Sequence, residues 1–270
     1  GSLNIPLTST AAIDEAGDDT TVDITTSGTL SLTAEGAIGA TGGSGPLDLT
    51  VGTLVATTDA TGIFLLESSA LTIGTGGVKT TAANAAIEIT LTAGDLTLDD
   101  DITAHGSGAV TLTLSAADAA VITSGSADDI ASTSGAITIT ADRLTLATGT
   151  IASSGALTLQ PNASGETIGL GISATGDFNL TATELGLLTN GFSSITIGAS
   201  GGSGAVDINA ITFTDPVTIQ GGAMTVTALQ AGANNIPLTS TSTIDEDSDD
   251  TTVDITTSGT LSLTAEGAIG

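Results

Sequence analysis

Ser134-Gly135-Ala136-Ile137-Thr138-Ile139-Thr140 is the stretch that decides the fold. A small turn pair comes first, then apolar and polar residues in strict alternation, the period-two pattern of a strand that buries one face. The same frame returns at residues 27–33, 44–50, 107–113, 154–160, 203–209 and 258–264, with looser versions from Gly94, Gly176 and Ser194. Where the copies are consecutive, their glycines fall at 108, 135, 155 and 176. A period of this size belongs to a solenoid, in which each repeat is one coil that buries its apolar face only on its neighbours. The expected fold is all-β: a single-stranded parallel β-helix (β-solenoid) with about 20–23 residues per coil.

Working outward from the anchor gives one coil, residues 134–153. Ile137 and Ile139 point inward on a first short strand and Ala141 follows them. Asp142-Arg143 turn a corner, Leu144 and Leu146 make a second inward strand, and Ile151 supplies a third inward side. Ser153-Ser154-Gly155 then closes the coil and opens the next. Stacking the anchors predicts interior ladders of Val110, Ile137, Leu157 and Phe178, and of Leu112, Ile139, Leu159 and Leu180. The matching outward row is Thr111, Thr138, Thr158 and Asn179. A sandwich would need hairpin turns between its strands, and Asn190-Gly191 is the one such signal.

The composition agrees with a narrow stack. Four phenylalanines, one methionine and no tryptophan or tyrosine cannot fill a wide core, whereas Leu, Ile, Val and Ala with abundant Thr, Ser and Gly suit short ladders and tight corners. Positive mean hydropathy and the clean alternation argue against disorder. Residues 160–166, 124–129 and the acidic stretch 8–21 read as loops at the corners, and Pro46 and Pro216 mark the starts of strands. No segment shows helical periodicity.

Thirty acidic residues against two basic ones, Lys79 and Arg143, give a formal charge of −28. Nucleic acid and anionic membranes are excluded as partners by that sign, and no apolar run reaches the length of a membrane span. There is no cysteine, hence no disulfide and no thiolate metal site.

A second, longer repeat overlies the coils. Residues 4–39 and 235–270 align without a gap, differing only at 11/242, 12/243, 16/247 and 17/248. Packing would hold the apolar pattern but not the polar residues between, so the identity points to recent duplication. The chain therefore divides into an expression scar and flank at 1–3, one full unit of the solenoid at 4–234, and the start of the next unit at 235–270. At about 21 residues per coil, one unit would hold roughly 11 coils. Both ends would then lie within a unit, with neighbouring units of the same chain as the first partners.

The Ser-Gly-Ala-Ile-Thr-Ile-Thr-Ala rungs, and the run 176–222 most of all, resemble the repeats of giant bacterial exoproteins of the filamentous haemagglutinin and adhesin type. The resemblance implies a right-handed parallel β-helix, an extracellular or bacterial cell-surface location, and a stiff stalk in adhesion or cell–cell contact, with another cell surface or a glycan as partner. The family's N-terminal secretion module is not visible, and no binding residue carries over.

Candidate chemistry is sparse. His105, the one histidine, sits in a loop setting without a nucleophile elbow, and Lys79 and Arg143 lie about three coils apart, so neither a triad nor a lyase site is expected. A polysaccharide-active enzyme would need two opposed carboxylates in a cleft; no catalytic residue is assigned. Calcium is the better candidate ligand: Asp99, Asp100, Asp101, Asp128 and Asp129 offer hard oxygens, as do Asp18, Asp19 and the acids at 245–250, in a calcium-dependent adhesin. The runs at 42–48 and 201–207 miss the RTX nonapeptide, because Asp48 and Asp207 fall between two inward apolar residues. Paired threonines such as Thr111/Thr113 and Thr138/Thr140 resemble the faces of ice-binding solenoids, but Asp48, Asn179 and Asp207 interrupt them and leave a polar strand surface. Sequons at Asn162 and Asn179 are read as coincidental.

Overall fold

Ile137 and Ile139 do turn inward, and what they turn toward is the same position one coil away. The structure, a computed structural model, describes residues 2–17, 21–41, 45–125, 128–248 and 251–270. The strand Ile137–Thr140 lies between Val110–Leu114 and Ala156–Gln160, parallel to both. Ile137 is in register with Val110 and Leu157, and Ile139 with Leu112 and Leu159; all six are fully buried. The chain is a parallel β-solenoid of about ten turns with roughly 24 residues per turn.

Each full coil contributes to three walls. The first is a continuous ladder that climbs from Ile13 through Ile38, Ile63, Ile87, Val110, Ile137, Leu157, Ile195 and Val217, then by way of Ile219 to Leu238 and Leu263. The second runs through Leu71, Leu96, Val121 and Leu144. The third runs through Val78, Ile102, Ile130, Ile151 and Leu188. The anchor coil follows its sequence: Ile137–Thr140 on the first wall, Arg143–Leu146 on the second, Ile151–Ala152 on the third. Near the N-terminus the corners are less sharp, and the long strands Ile24–Ala34 and Leu47–Thr58 pass from wall to wall with a register shift between Thr26 and Thr29. Such a bulge bends a strand without ending it.

The glycine that opens the frame, with a buried serine two or three residues before it, has a defined job at the corner between the third and first walls. Ser132 Oγ donates to the Gly108 carbonyl at 2.7 Å and accepts from Gly135 N at 2.9 Å. Ser153 Oγ repeats this one coil on, with the Gly135 carbonyl at 2.6 Å and Gly155 N at 2.9 Å. A Cβ on Gly135 would be built into the Gly108 carbonyl, and one on Gly155 into that of Gly135. Here glycine is required by close backbone approach, and the buried hydroxyl satisfies polar groups that the corner takes out of the ladder.

Three expectations need correction. Phe178, Leu180 and Asn179 do not continue the ladders of Leu157, Leu159 and Thr158; Ile195, Ile197 and Thr196 do. Phe178–Leu180 instead belongs to the second wall, because the chain leaves the first wall after Gln160 and returns only at Ser194–Ile197. Secondly, a short helix, Ala182–Leu185, does occur, within this excursion. Its signal is a capping box, Thr181 with Glu184, which has no period to reveal it. Thirdly, between corresponding points of the duplicated segments there are a little over nine coils and not 11, since the excursion and the insertion ahead of Leu47 lengthen their turns. Pro46 and Pro216 do precede strands, Leu47–Thr58 and Val217–Gly221.

The duplicated segments pair alike. Ile5 is in register with Leu30 and Ile13 with Ile38, as Ile236 is with Leu261 and Ile244 with Ile269. Among the described residues no helix is long and apolar enough to cross a membrane.

Candidate functional site

The place where the chain departs most from a plain solenoid is the excursion at residues 161–193. After Gln160 the chain forms Ile168–Gly171, which pairs with Val206–Asn209 of the next coil. It then doubles back and lays Phe178–Leu180 on the other side of that strand, also in parallel. One coil thus puts two strands into the second wall. The result is a break: Phe178–Leu180 packs beside Arg143–Leu146 without a strand ladder between them. Above it the wall resumes through Ile168, Val206, Met224 and Ile244.

Carboxylates stitch the excursion in place. Asp142, almost fully buried, accepts from Asn162 N at 3.0 Å and Ala163 N at 3.1 Å where the chain leaves, and from Asp118 N at 3.0 Å in the preceding coil. Buried Asp215 accepts from Gly191 N at 3.0 Å and Phe192 N at 3.3 Å where the chain returns. Between them Glu184 accepts from Thr181 N at 2.9 Å as a cap, and from Leu146 N at 3.2 Å across the break, replacing one bond of the missing ladder. Sequence reasoning missed all three anchors; aspartate at a turn is a signal for such bonding, but it does not say which distant N–H is bound.

Around the excursion lies an open acidic hollow lined by Thr167, Thr175, Asp177, Asp207, Thr225 and Asp247. Asp177 is held below the usual carboxylate range by bonds its carboxylate accepts from the Thr167 hydroxyl, at 2.8 Å, and from the Thr167 N–H. Neighbouring Glu166 is pushed up, first by partial desolvation and then by the charges of Asp142 and Asp177. The hollow offers carboxylate acceptors and hydroxyls, the Thr167 hydroxyl donating to Asp177 and the Thr175 hydroxyl to Asp207 at 3.3 Å.

The five aspartates singled out from the sequence do share one corner, between the second and third walls. Asp99, Asp100 and Asp101 precede Ile102–Ala104, and Asp128 and Asp129 precede Ile130–Ser132, one coil on. Their oxygens are turned to the chain itself. Asp99 accepts from Ser124 Oγ at 2.7 Å, Asp100 from Gly76 N at 2.8 Å, and Asp101 from Asp129 N at 2.9 Å. Asp128 accepts from Ser124 N at 3.0 Å and also from Gly125 N, and Asp129 from Thr150 N at 2.6 Å. Bonds from the N–H groups of Gly76 and Asp101, with Lys79 nearby, hold the Asp100 carboxyl low. Among the described residues no group of three or more acidic, histidine or cysteine side chains is arranged to hold a metal ion. Asp18, Asp19, Asp249 and Asp250 lie outside the described residues, as does the 42–44 part of the glycine-rich run.

The other candidates are dispersed. His105 is exposed at a turn between the third and first walls, its backbone N–H donating to Thr80 Oγ1 at 3.0 Å. Lys79 stands on the third wall and Arg143 on the second, so the two basic groups do not share a face. Thr111, Thr138, Thr158, Thr196 and Thr218 form one unbroken outward row on the first wall, and Asn179 and Asp207 prove to lie on the second. The partner row Thr113 and Thr140 gives way to Gln160, Gly198 and Gln220, so no two-row lattice of threonines is formed.

With this geometry in hand, the chain was compared with known proteins. No family model, curated protein or solved structure matches it.

Proposed function

We propose that this chain is a structural unit of a long bacterial surface or secreted filament, a stiff stalk that spaces and presents adhesive regions in attachment or cell–cell contact. The observation that carries the reading is the behaviour of the duplicated segment. Leu30 and Ile38 are fully buried because the following coil, through Leu54 and Ile63, stacks on them. Their counterparts Leu261 and Ile269 remain 41% and 50% exposed. One sequence therefore builds one stacking surface twice, and a tandem array of such units would cover it each time. Its first partners are neighbouring units of the same chain, and its target is another cell surface or a glycan. A charge of −28 keeps parallel filaments apart.

The test is the chain extended after Gly270 by a copy of residues 40–234 and imaged by electron microscopy. About eight further coils should lengthen a single rod by about 40 Å at strand spacing. Two particles joined by a flexible link would overturn the reading.

A further inference from the structure

We infer that successive units of the filament are set one wall apart, so that the excursion at 161–193 faces a new direction in each unit and only the fourth unit faces as the first does. The inference rests on the filament reading above. Its basis is that the duplicated segments, nearly identical in sequence, do not occupy the same walls. Ile13 stands on the first wall, whose ladder continues unbroken for nine steps to Leu238. Were a unit a whole number of coils, the counterpart of Ile13, Ile244, would lie on that wall. Ile244 lies instead on the second wall, in register with Met224. The first-wall place is taken by Ile236–Ser240, the counterpart of Ile5–Ser9.

Outward residues tell the same story. Thr8 belongs to a third-wall row that runs through Thr33, Thr57 and Lys79 to Thr103. Its counterpart Thr239 belongs to the first-wall row of Thr140, Gln160 and Gln220. One unit is thus nine coils and one wall more. The step can be taken without strain because the frame is not specific to a wall: 134–140 builds the first wall and 203–209 the second.

In a tandem array each unit is then turned by roughly 120° relative to the last, on top of the slow twist of the stack. A filament with whole-coil units would carry all its excursions on one face and lie along a single surface. One that steps by a wall displays them on three sides and is suited to bridging partners around its axis.

The chain has no cysteine, so single labels can be placed at will. In the two-unit chain described above, Asn162→Cys and the same change in the second unit are tagged with gold and imaged. Tags at azimuths about 120° apart are expected. Tags on one face of an intact rod would overturn the wall step and leave the filament reading standing; separated particles would overturn both. Should the extended chain fail to fold, nitroxide pairs in the 270-residue chain decide the matter. Thr8→Cys/Thr103→Cys and Thr140→Cys/Thr239→Cys each span four rungs of one row, so both distances should be about 19 Å. A clearly longer Thr140–Thr239 distance would place the second copy on another wall and overturn the inference.

Discussion

At the scale of single residues, alternation assigns each side chain to a face, and the two faces differ sharply in what they tolerate. Ile139 is fully buried between Leu112 and Leu159, and its neighbour Thr138 is on the outer face. An aspartate at 139 would place a charge among apolar ladders with no base to pair it. Ile139→Asp is expected to cost several kcal/mol, if it folds at all, and Thr138→Asp under about 1 kcal/mol. Urea melts of the two variants check this, and equal losses would contradict the facing. Glu67 makes the opposite case, a carboxyl already buried. It accepts from Ser69 Oγ at 2.7 Å, Ser69 N at 2.9 Å and Val51 N at 3.1 Å. Desolvation nevertheless outweighs these bonds and raises its pKa above the ordinary 4.5. The raised folded value fixes the sign: Glu67's contribution is fully present below the unfolded pKa and is lost as pH rises through the folded one. Relative to Glu67→Gln, the native chain should therefore lose urea resistance as pH climbs from about 4 through that raised value, then run parallel to it. A constant difference across this window would show that burial does not govern Glu67.

At the scale of elements, the excursion depends on its buried anchors more than on its surface charges. Asp142→Ala would remove a buried carboxylate that ties together the N–H groups of Asp118, Asn162 and Ala163, at an expected cost of about 1–3 kcal/mol. The adjacent Arg143 pairs with Asp118 at 3.0 Å, but the two side chains are 53% and 75% exposed, so Arg143→Ala should cost under about 1 kcal/mol. Amide exchange adds a local readout, with faster exchange at Asn162 and Ala163 expected only in the Asp142 variant. The same region marks the limit of what the sequence makes legible. The coil from Ile137 to Ile151 could be written residue by residue, because alternation, corner and closure each leave a local mark. The frame at Gly176 carries the same mark, yet it builds a different wall, since a strand's pattern records which face is buried and not which neighbour buries it. The five aspartates at 99–101 and 128–129 were recognisable as oxygen donors close in space. That their oxygens bond the backbone of neighbouring coils, Asp100 the preceding one and Asp101 and Asp129 the following one, depends on register, which only the stacked structure supplies.

At the scale of the molecule, a solenoid presents two unlike surfaces, long acidic sides and small apolar ends. The last coil exposes Leu261 and Ile269, and the strand Leu261–Ala265 pairs with Ile236–Ser240 and, among the described residues, with no strand on its other edge. At the opposite end Ile5, Leu7 and Ile13 are only partly buried against the core. An open strand edge beside apolar side chains is a template for another chain, and here the two ends present nearly the same sequence. Attraction between ends is short-ranged, whereas repulsion between bodies of charge −28 reaches about 10 Å at 0.1 M salt and about 3 Å at 1 M. Association should consequently strengthen as salt rises, the reverse of what an assembly held by opposite charges would do. Sedimentation velocity at several protein and salt concentrations is expected to show end-to-end species growing with both. Hydrogen exchange should show amides of 261–265 exchanging faster than those of Ile137–Thr140 at low salt and gaining protection as the species grow. A chain that stays monomeric at 1 M salt, with its last coil as protected as the anchor coil, would mean that these ends cap themselves and that no neighbouring coil is needed to complete them.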